Sequence, residues 1–167
     1  MLLWKQDEQE QSALMIDGAR RIGKRYIVEE FAKNEYKSYI LADFYNAEDE
    51  LMEIFDKYLK NLDVFFSYLS LYFDVTLYPR NTVIVFDEVQ LYPKARAAIK
   101  YLVKDGRYDY IEIGSLVNIN RNVKDIVIPS EEHRVNMYPM DFEEFLCADL
   151  EVKDGITYLP LYMAGLL

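Results

Sequence analysis

Cysteine and histidine are nearly absent from this chain: Cys147 and His133 are the single representatives among 167 residues. One thiol cannot close an intramolecular disulfide, and a lone imidazole offers no metal-ligand cluster. A disulfide-stapled secreted domain is therefore excluded, and a reducing, cytoplasmic setting is expected. Positive charge is also in deficit, with 19 Lys and Arg against 29 Asp and Glu and a formal charge of −10. Sequence-independent binding to nucleic acid or an anionic membrane needs clustered Lys and Arg, so neither is expected of this chain alone. Long hydrophobic runs are missing too. The start, Met1 to Lys5, turns polar at once in Gln6 to Gln11, unlike a signal peptide. The apolar tract from Ile156 to Leu167 is too short to span a bilayer and contains Pro160. It stops in mid-run at Leu166-Leu167, which reads either as a last element docking on the core or as the end of a fragment.

What the chain does hold is apolar and aromatic bulk: 51% hydrophobic residues, with 15 Tyr and nine Phe. Its length suits one domain with a sizeable core. The most informative segment is Gly18-Ala19-Arg20-Arg21-Ile22-Gly23-Lys24-Arg25. It reads G-x-x-x-x-G-K, the phosphate-binding loop of nucleoside-triphosphatases, without the final Ser or Thr. Glycines let a backbone wrap an anion, amides at a helix start point at phosphate oxygens, and Lys24 adds a mobile positive charge. Arg25 stands where a hydroxyl should hold Mg²⁺. The loop follows the apolar run Ala13 to Ile16 and precedes Tyr26 to Phe31 at helical spacing, the context the motif requires. Downstream, Thr82-Val83-Ile84-Val85-Phe86 ends in Asp87-Glu88. That is the pattern of a central parallel strand whose tip carries a Mg²⁺-linked Asp and a second acid.

Strands and helices alternate along the chain. Tyr39 to Phe44 reads as a second strand, and Glu48 to Leu62 as a helix with an apolar stripe at Leu51, Ile54, Phe55, Tyr58 and Leu59. Leu62 to Phe73 carries another stripe at Phe65, Phe66, Leu69 and Phe73. Pro93 opens a helix running to about Lys104, and Asp105-Gly106-Arg107 turns into a strand over Tyr110 to Ser115. Ile126 to Ile128 ends at Pro129. Asp141 with Glu144 three residues on resembles a capping box. Repeated β-α-β units imply an α/β fold, a parallel sheet covered by helices on both faces.

Four separated segments resemble the prokaryotic AAA+ family of ATP-binding proteins: Met15 to Ala32, Val85 to Gln90, Gly106 to Leu116 and Met137 to Phe145. Members pair an ATPase domain with a C-terminal, restriction-endonuclease-like domain of unknown function. The resemblance implies a P-loop NTPase (AAA+-like) sheet over residues 1–149, ATP or ADP as ligand with Mg²⁺, and a tendency to form homo-oligomers. It assigns Gly18, Gly23 and Lys24 to the phosphate cradle, within the loop that also contains Ala19, Arg20, Arg21, Ile22 and Arg25. Arg20 and Arg21 read equally as phosphate contacts or as solvated loop charge. Asp87 is assigned to the Mg²⁺ shell and Glu88 to orienting or deprotonating the attacking water. Ser115 falls at the sensor tip, where a strand-end cap is the competing reading. The C-terminal domain is missing after Asp149, and residues 150–167 read as a tail that is a remnant of its far end.

This chain departs from the family pattern at two catalytic positions. Arg25 cannot donate an oxygen to Mg²⁺, and Ile113 replaces a Thr that the family places before Gly114. Binding can survive both changes, since backbone amides and Lys24 supply much of it. The leading expectation is thus an ATP-binding AAA+ domain with weak or lost hydrolysis. The alternatives are a non-enzymatic interaction module built on a degenerate P-loop fold, and a P-loop small-molecule kinase. Against the kinase, no arginine-rich lid is evident and Asp87-Glu88 suits activation of water.

Overall fold

In the computed structural model, residues 1–7, 12–115, 132–141 and 144 are described. Among these residues, five strands make one sheet: β1 (Ala13–Gly18), β2 (Ser38–Asp43), β3 (Thr82–Asp87), β4 (Asp109–Ser115) and β5 (Glu132–Met137). Their order is β2-β3-β4-β1-β5, and every neighbouring pair is parallel. Parallel neighbours need crossover connections that lay helices on the sheet, so central strands are covered on both faces. That explains why β1, β3 and β4 are buried at every position and carry long apolar runs.

Strand periodicity divides those runs between two cores. Leu14, Ile16, Val83, Val85, Ile111 and Ile113 pack with Trp4, Val28 and Phe31, residues of helices α1 (Leu2–Asp7) and α2 (Lys24–Glu35). Met15, Ile84, Phe86 and Tyr110 pack instead with Leu51, Phe65 and Ile99, from α3 (Asp49–Tyr58), α4 (Leu62–Phe73) and α5 (Pro93–Asp105). The sheet is therefore flanked on both faces, as the alternation of elements implied.

Helix boundaries follow local chemistry. The stripe expected from Glu48 to Leu62 ends as a helix at Tyr58, and α4 restarts after Asn61, whose side chain accepts from the Val64 amide. Asn61 is extended, a backbone state that a continuous helix does not allow. Pro93 opens α5 and Gly106, at φ +72°, closes it with its N–H on the Leu102 carbonyl. Asp141 and Glu144 exchange the two reciprocal bonds of a capping box, each 2.9 Å. Helix α1 was not foreseen. It is only six residues long, and docks mainly through the buried Trp4, whose indole N–H donates to the Ser12 carbonyl at 3.1 Å, with Leu2 against the same core and Lys5 paired with Glu35. Ile126 to Ile128 and the tail beyond Asp149 lie outside the described residues.

Two packing features bear on the sheet's functional edge. Phe44, just past β2, has ring centroids 5.7, 5.8 and 5.3 Å from Phe55, Phe86 and Tyr92. Such aromatic pairs contribute roughly 0.5–1.5 kcal/mol each beyond area burial. The Phe44 amide also donates to the Asp87 carbonyl at 3.1 Å, which joins the ends of β2 and β3. On the other side, Arg96 of α5 is buried and grips Glu132 of β5 through two bonds of 3.1 Å. This bidentate geometry is what a buried guanidinium requires.

Glu112 of β4 is buried beside that pair, and neither of its carboxylate oxygens receives a hydrogen bond. Burial first, and then the Glu132 charge, push its carboxyl well above the usual range, against the pull of Arg96. A carboxyl that holds its proton in the folded state but loses it on unfolding destabilises the fold as pH rises. The loss begins near the unfolded value of about 4.3 and continues up to the folded value. Glu112→Gln, a permanently neutral mimic, should therefore stabilise the chain by about 1–2 kcal/mol at pH 8 and by clearly less at pH 5. Urea unfolding at the two pH values checks this, and an equal gain at both would contradict the buried-proton account.

Candidate functional site

The carboxyl ends of all five strands emerge at one edge, because the strands are parallel. There the register sets Gly18 opposite Ser115 and Met137, Asp17 opposite Gly114, Ile113 opposite Asp87, and Asp87 opposite Asp43. The loop from Gly18 to Gly23 leaves β1 at this edge and runs directly into α2. A Cβ on Gly18 would stand 2.3 Å from the Met137 carbonyl oxygen and 2.9 Å from Ile22 Cδ1. Gly23 has φ +92°, and Arg21 has φ +64°, both in the left-handed region. Such reversals of handedness turn successive amides to one side, the backbone device of anion-binding nests. Gly23 also precedes α2 without a side-chain cap, so the first-turn amides of α2 keep their donors.

Lys24 is buried and folded back on the loop. Its Nζ donates to the carbonyls of Gly18 and Ala19 at 2.9 and 2.6 Å. Burial lowers the ammonium below its ordinary value, while Glu88, Asp17 and Asp87 pull it upward. Asp17, also buried, accepts from the Gly18 amide at 2.9 Å and braces the first turn of the loop. Ala19, Arg20 and Arg21 are exposed, and Ile22 is half-buried.

Arg25 has the most consequential surroundings. From the first turn of α2, its Nε donates to Glu29 Oε1 at 2.9 Å and its Nη1 to Asp43 Oδ2 at 2.9 Å. The same Nη1 lies 3.5 Å from Asp87 Oδ2. One guanidinium thus joins the carboxylates at the ends of β2 and β3. Burial pushes the Asp87 carboxyl above its ordinary range, with Arg25 opposing, so Asp87 gains from a cation beside it. For Asp43, burial also pushes upward, but hydrogen bonds from Asn46, Tyr45 and Arg25 overcome it and hold the carboxyl below its usual range.

Glu88 follows Asp87 in the left-handed region at φ +51°, unusual for a residue with a Cβ. Its amide donates to Asp87 Oδ1 at 2.9 Å, and its carboxylate Oε2 accepts from the buried side-chain amide of Gln90. Ser115 is buried at the tip of β4, and its Oγ has no hydrogen-bond partner among the described residues. A buried hydroxyl left in this state is a group waiting for one. Ile113 is buried against the α2-side core.

Each residue the sequence singled out therefore lies on this edge of the sheet. The sequence reading missed Asp17, Asp43, Glu29 and Gln90. Asp43 carried a readable signal, since it ends a parallel strand in the same way as Asp87. Glu29 carried one too, four residues after Arg25 on the same helix face, whereas Gln90 carried none, because its bond to Glu88 depends on the backbone path of the turn after β3.

A family model described as an AAA domain matches residues 10–146. That span covers most of the chain, and with the parallel P-loop sheet it establishes that the chain belongs to the AAA domain family, the prokaryotic AAA+ ATP-binding domains. No curated protein matches it.

The two loop glycines should respond differently to a methyl group. Gly18→Ala drives Cβ into the Met137 carbonyl and should cost about 2–3 kcal/mol of stability. Gly23→Ala meets only Met137 Cε at 4.0 Å and suffers chiefly its backbone angle, costing about 1–2 kcal/mol. Denaturant unfolding of both variants measures the difference. A Gly18→Ala chain as stable as the parent would refute the close approach of β5 to the loop.

Proposed function

We propose that this chain is an ATP-binding AAA domain in which an arginine stands in the place of the nucleotide's metal ion. ATP and ADP are held, and hydrolysis is weak or lost. The observation that carries this reading is the Arg25 guanidinium between Asp43 and Asp87.

The residues present fit a nucleotide. The glycine loop and the open start of α2 supply amides for phosphate oxygens. Lys24, now satisfied by two loop carbonyls, can exchange them for phosphate. Arg20 and Arg21 are exposed on the same loop, and no ion pair to another described residue ties them down. The residues do not fit Mg²⁺ in the same way. Asp87, the carboxylate the motif would give to the metal, already faces a guanidinium, and position 25 offers no hydroxyl. A guanidinium neutralises phosphate charge through hydrogen bonds but coordinates no water or oxygen as a metal does. In-line phosphoryl transfer rests on positioning and charge stabilisation. Glu88 is the acid available to orient water, and the unpartnered Ser115 hydroxyl beside Gly18 suits a γ-phosphate contact.

Two measurements test this reading. ADP and ATP should bind with affinities that change by less than about threefold between Mg²⁺ and EDTA. Isothermal titration shows this directly, and no heat at millimolar nucleotide would rule the reading out. Arg25→Ser combined with Ile113→Thr should raise ATP turnover in Mg²⁺ by at least about tenfold. Adding Glu88→Gln should abolish that gain. A repaired variant no faster than the parent would remove Arg25 and Ile113 as the cause of weak hydrolysis.

A further inference from the structure

We infer that Asp43 sets the metal response of this nucleotide site: it holds Arg25 over Asp87 and so removes the advantage that the Mg²⁺ complex of a nucleotide would otherwise have over the metal-free form. The inference rests on the nucleotide-binding reading above and adds a residue and a ligand form to it.

The geometry separates the two contacts of Nη1. The bond to Asp43 is 2.9 Å, whereas the approach to Asp87 is a looser 3.5 Å. Arg25 is also anchored on its own helix, through Nε to Glu29 one turn on. That anchor fixes the base of the guanidinium but not where its far nitrogen points. With about half of the side chain exposed (47%), the direction toward Asp87 needs a partner on the sheet side. Asp43 supplies it. Asp43 cannot easily turn away, because its other bonds are spoken for. Oδ1 accepts from the Tyr45 and Asn46 amides at 2.9 and 3.4 Å, and Oδ2 also accepts from Asn46 Nδ2 at 2.9 Å. The backbone after β2 thus locks the carboxylate, the carboxylate locks the guanidinium, and the guanidinium covers Asp87. β2 and β3 are paired in register at this point, and the Phe44 amide bonded to the Asp87 carbonyl keeps the two acids at a fixed spacing.

The consequence is a choice of ligand. A nucleotide arriving with Mg²⁺ brings a cation to a carboxylate that already faces one. Two cations then compete for Asp87 at close range, and the metal adds little to binding. A nucleotide without metal meets Arg25 as a ready donor for phosphate oxygens. Asp43 acts on this choice through Arg25 and touches no nucleotide itself, so it is a positioning residue.

Asp43→Asn separates that role from the fold. Its amide oxygen can keep the two backbone bonds of the turn, and its NH₂ then replaces Oδ2 and confronts Nη1 donor to donor. Asp43→Ser, whose hydroxyl can accept the same turn bonds, is a second variant should Asn perturb the loop. The experiment titrates ADP into the parent, Asp43→Asn, Asp43→Ser, Arg25→Ala and the double variant Arg25→Ala/Asp43→Asn, each in MgCl₂ and in EDTA. The parent's affinities in MgCl₂ and in EDTA should agree within about threefold. Asp43→Asn, Asp43→Ser and Arg25→Ala should each shift the ratio of affinities about tenfold toward Mg²⁺. In the double variant, Asp43→Asn should add nothing to Arg25→Ala, the signature of action through the arginine. If the parent binds ADP and the Asp43 variants keep its metal response, the specificity role is overturned while the nucleotide-binding reading stands. An additional shift in the double variant would make Asp43 act independently of Arg25 and overturn it too. If no variant binds ADP, the underlying reading fails and the specificity role fails with it.

Discussion

The parallel register of the sheet is the constraint on which everything else in this molecule depends. Parallel strands deliver all their carboxyl ends to one edge, and the residues of this site stand at such ends or on the loop and helix that leave one. Gly18, Asp43, Asp87 and Ser115 belong to four different strands, yet pairing sets Gly18 beside Ser115 and Asp43 beside Asp87. Side chains alternate between faces with a period of two. A slip of one residue in β3 would send Val83 and Val85 to the wrong core and turn Asp87 away from Arg25. The two cores on opposite faces of the sheet thus act as the reference that keeps the acids in place.

Electrostatics at that edge follow from burial. Asp17, Lys24 and Asp87 are all largely withdrawn from water, so each needs a partner and each has found one within the protein. Lys24 is satisfied by loop carbonyls and Asp87 by a guanidinium. These partners are also the groups that a nucleotide or a metal would have to displace. The site is therefore assembled with its own internal stand-ins, and the ease of replacing each one sets what can bind. Fold alone does not decide what such a site does; that rests on a few side chains at the edge, Arg25 among them.

Strand β5 extends that dependence to the far side of the sheet. Its last residue, Met137, puts a carbonyl against Gly18 so closely that only a glycine fits. Its first residue, Glu132, is anchored by Arg96 from α5, with the buried Glu112 alongside. Among the described residues β5 pairs with one strand, β1, so this ionic anchor and that pairing share the task of seating the wall of the glycine loop. The interior charges consequently bear on the geometry of a site at the other end of the strand.

Much of this could be read from the order of residues alone. The glycine spacing, Lys24, the strand ending in Asp87-Glu88 and the alternation of elements each rest on local rules: backbone freedom, strand period and helix caps. Those rules act over a few residues, so a sequence displays them directly. Arg25 was legible as a missing hydroxyl in the loop motif. That Asp43 is its partner across the sheet was not legible. Asp43 lies on the second strand in the chain, separated from Arg25 by the whole of α2, and only strand order and register bring its carboxylate to that guanidinium. The Gln90 bond to Glu88, the Asp17 brace, the Trp4 anchor and the Arg96–Glu132 pair have the same character. Each joins groups whose meeting depends on packing between elements or on the exact backbone path of a turn. Local sequence determined that this chain builds a phosphate loop beside an acidic strand end. Tertiary structure decided which acid holds the arginine, because distance in space is set by the folded sheet and not by separation along the chain.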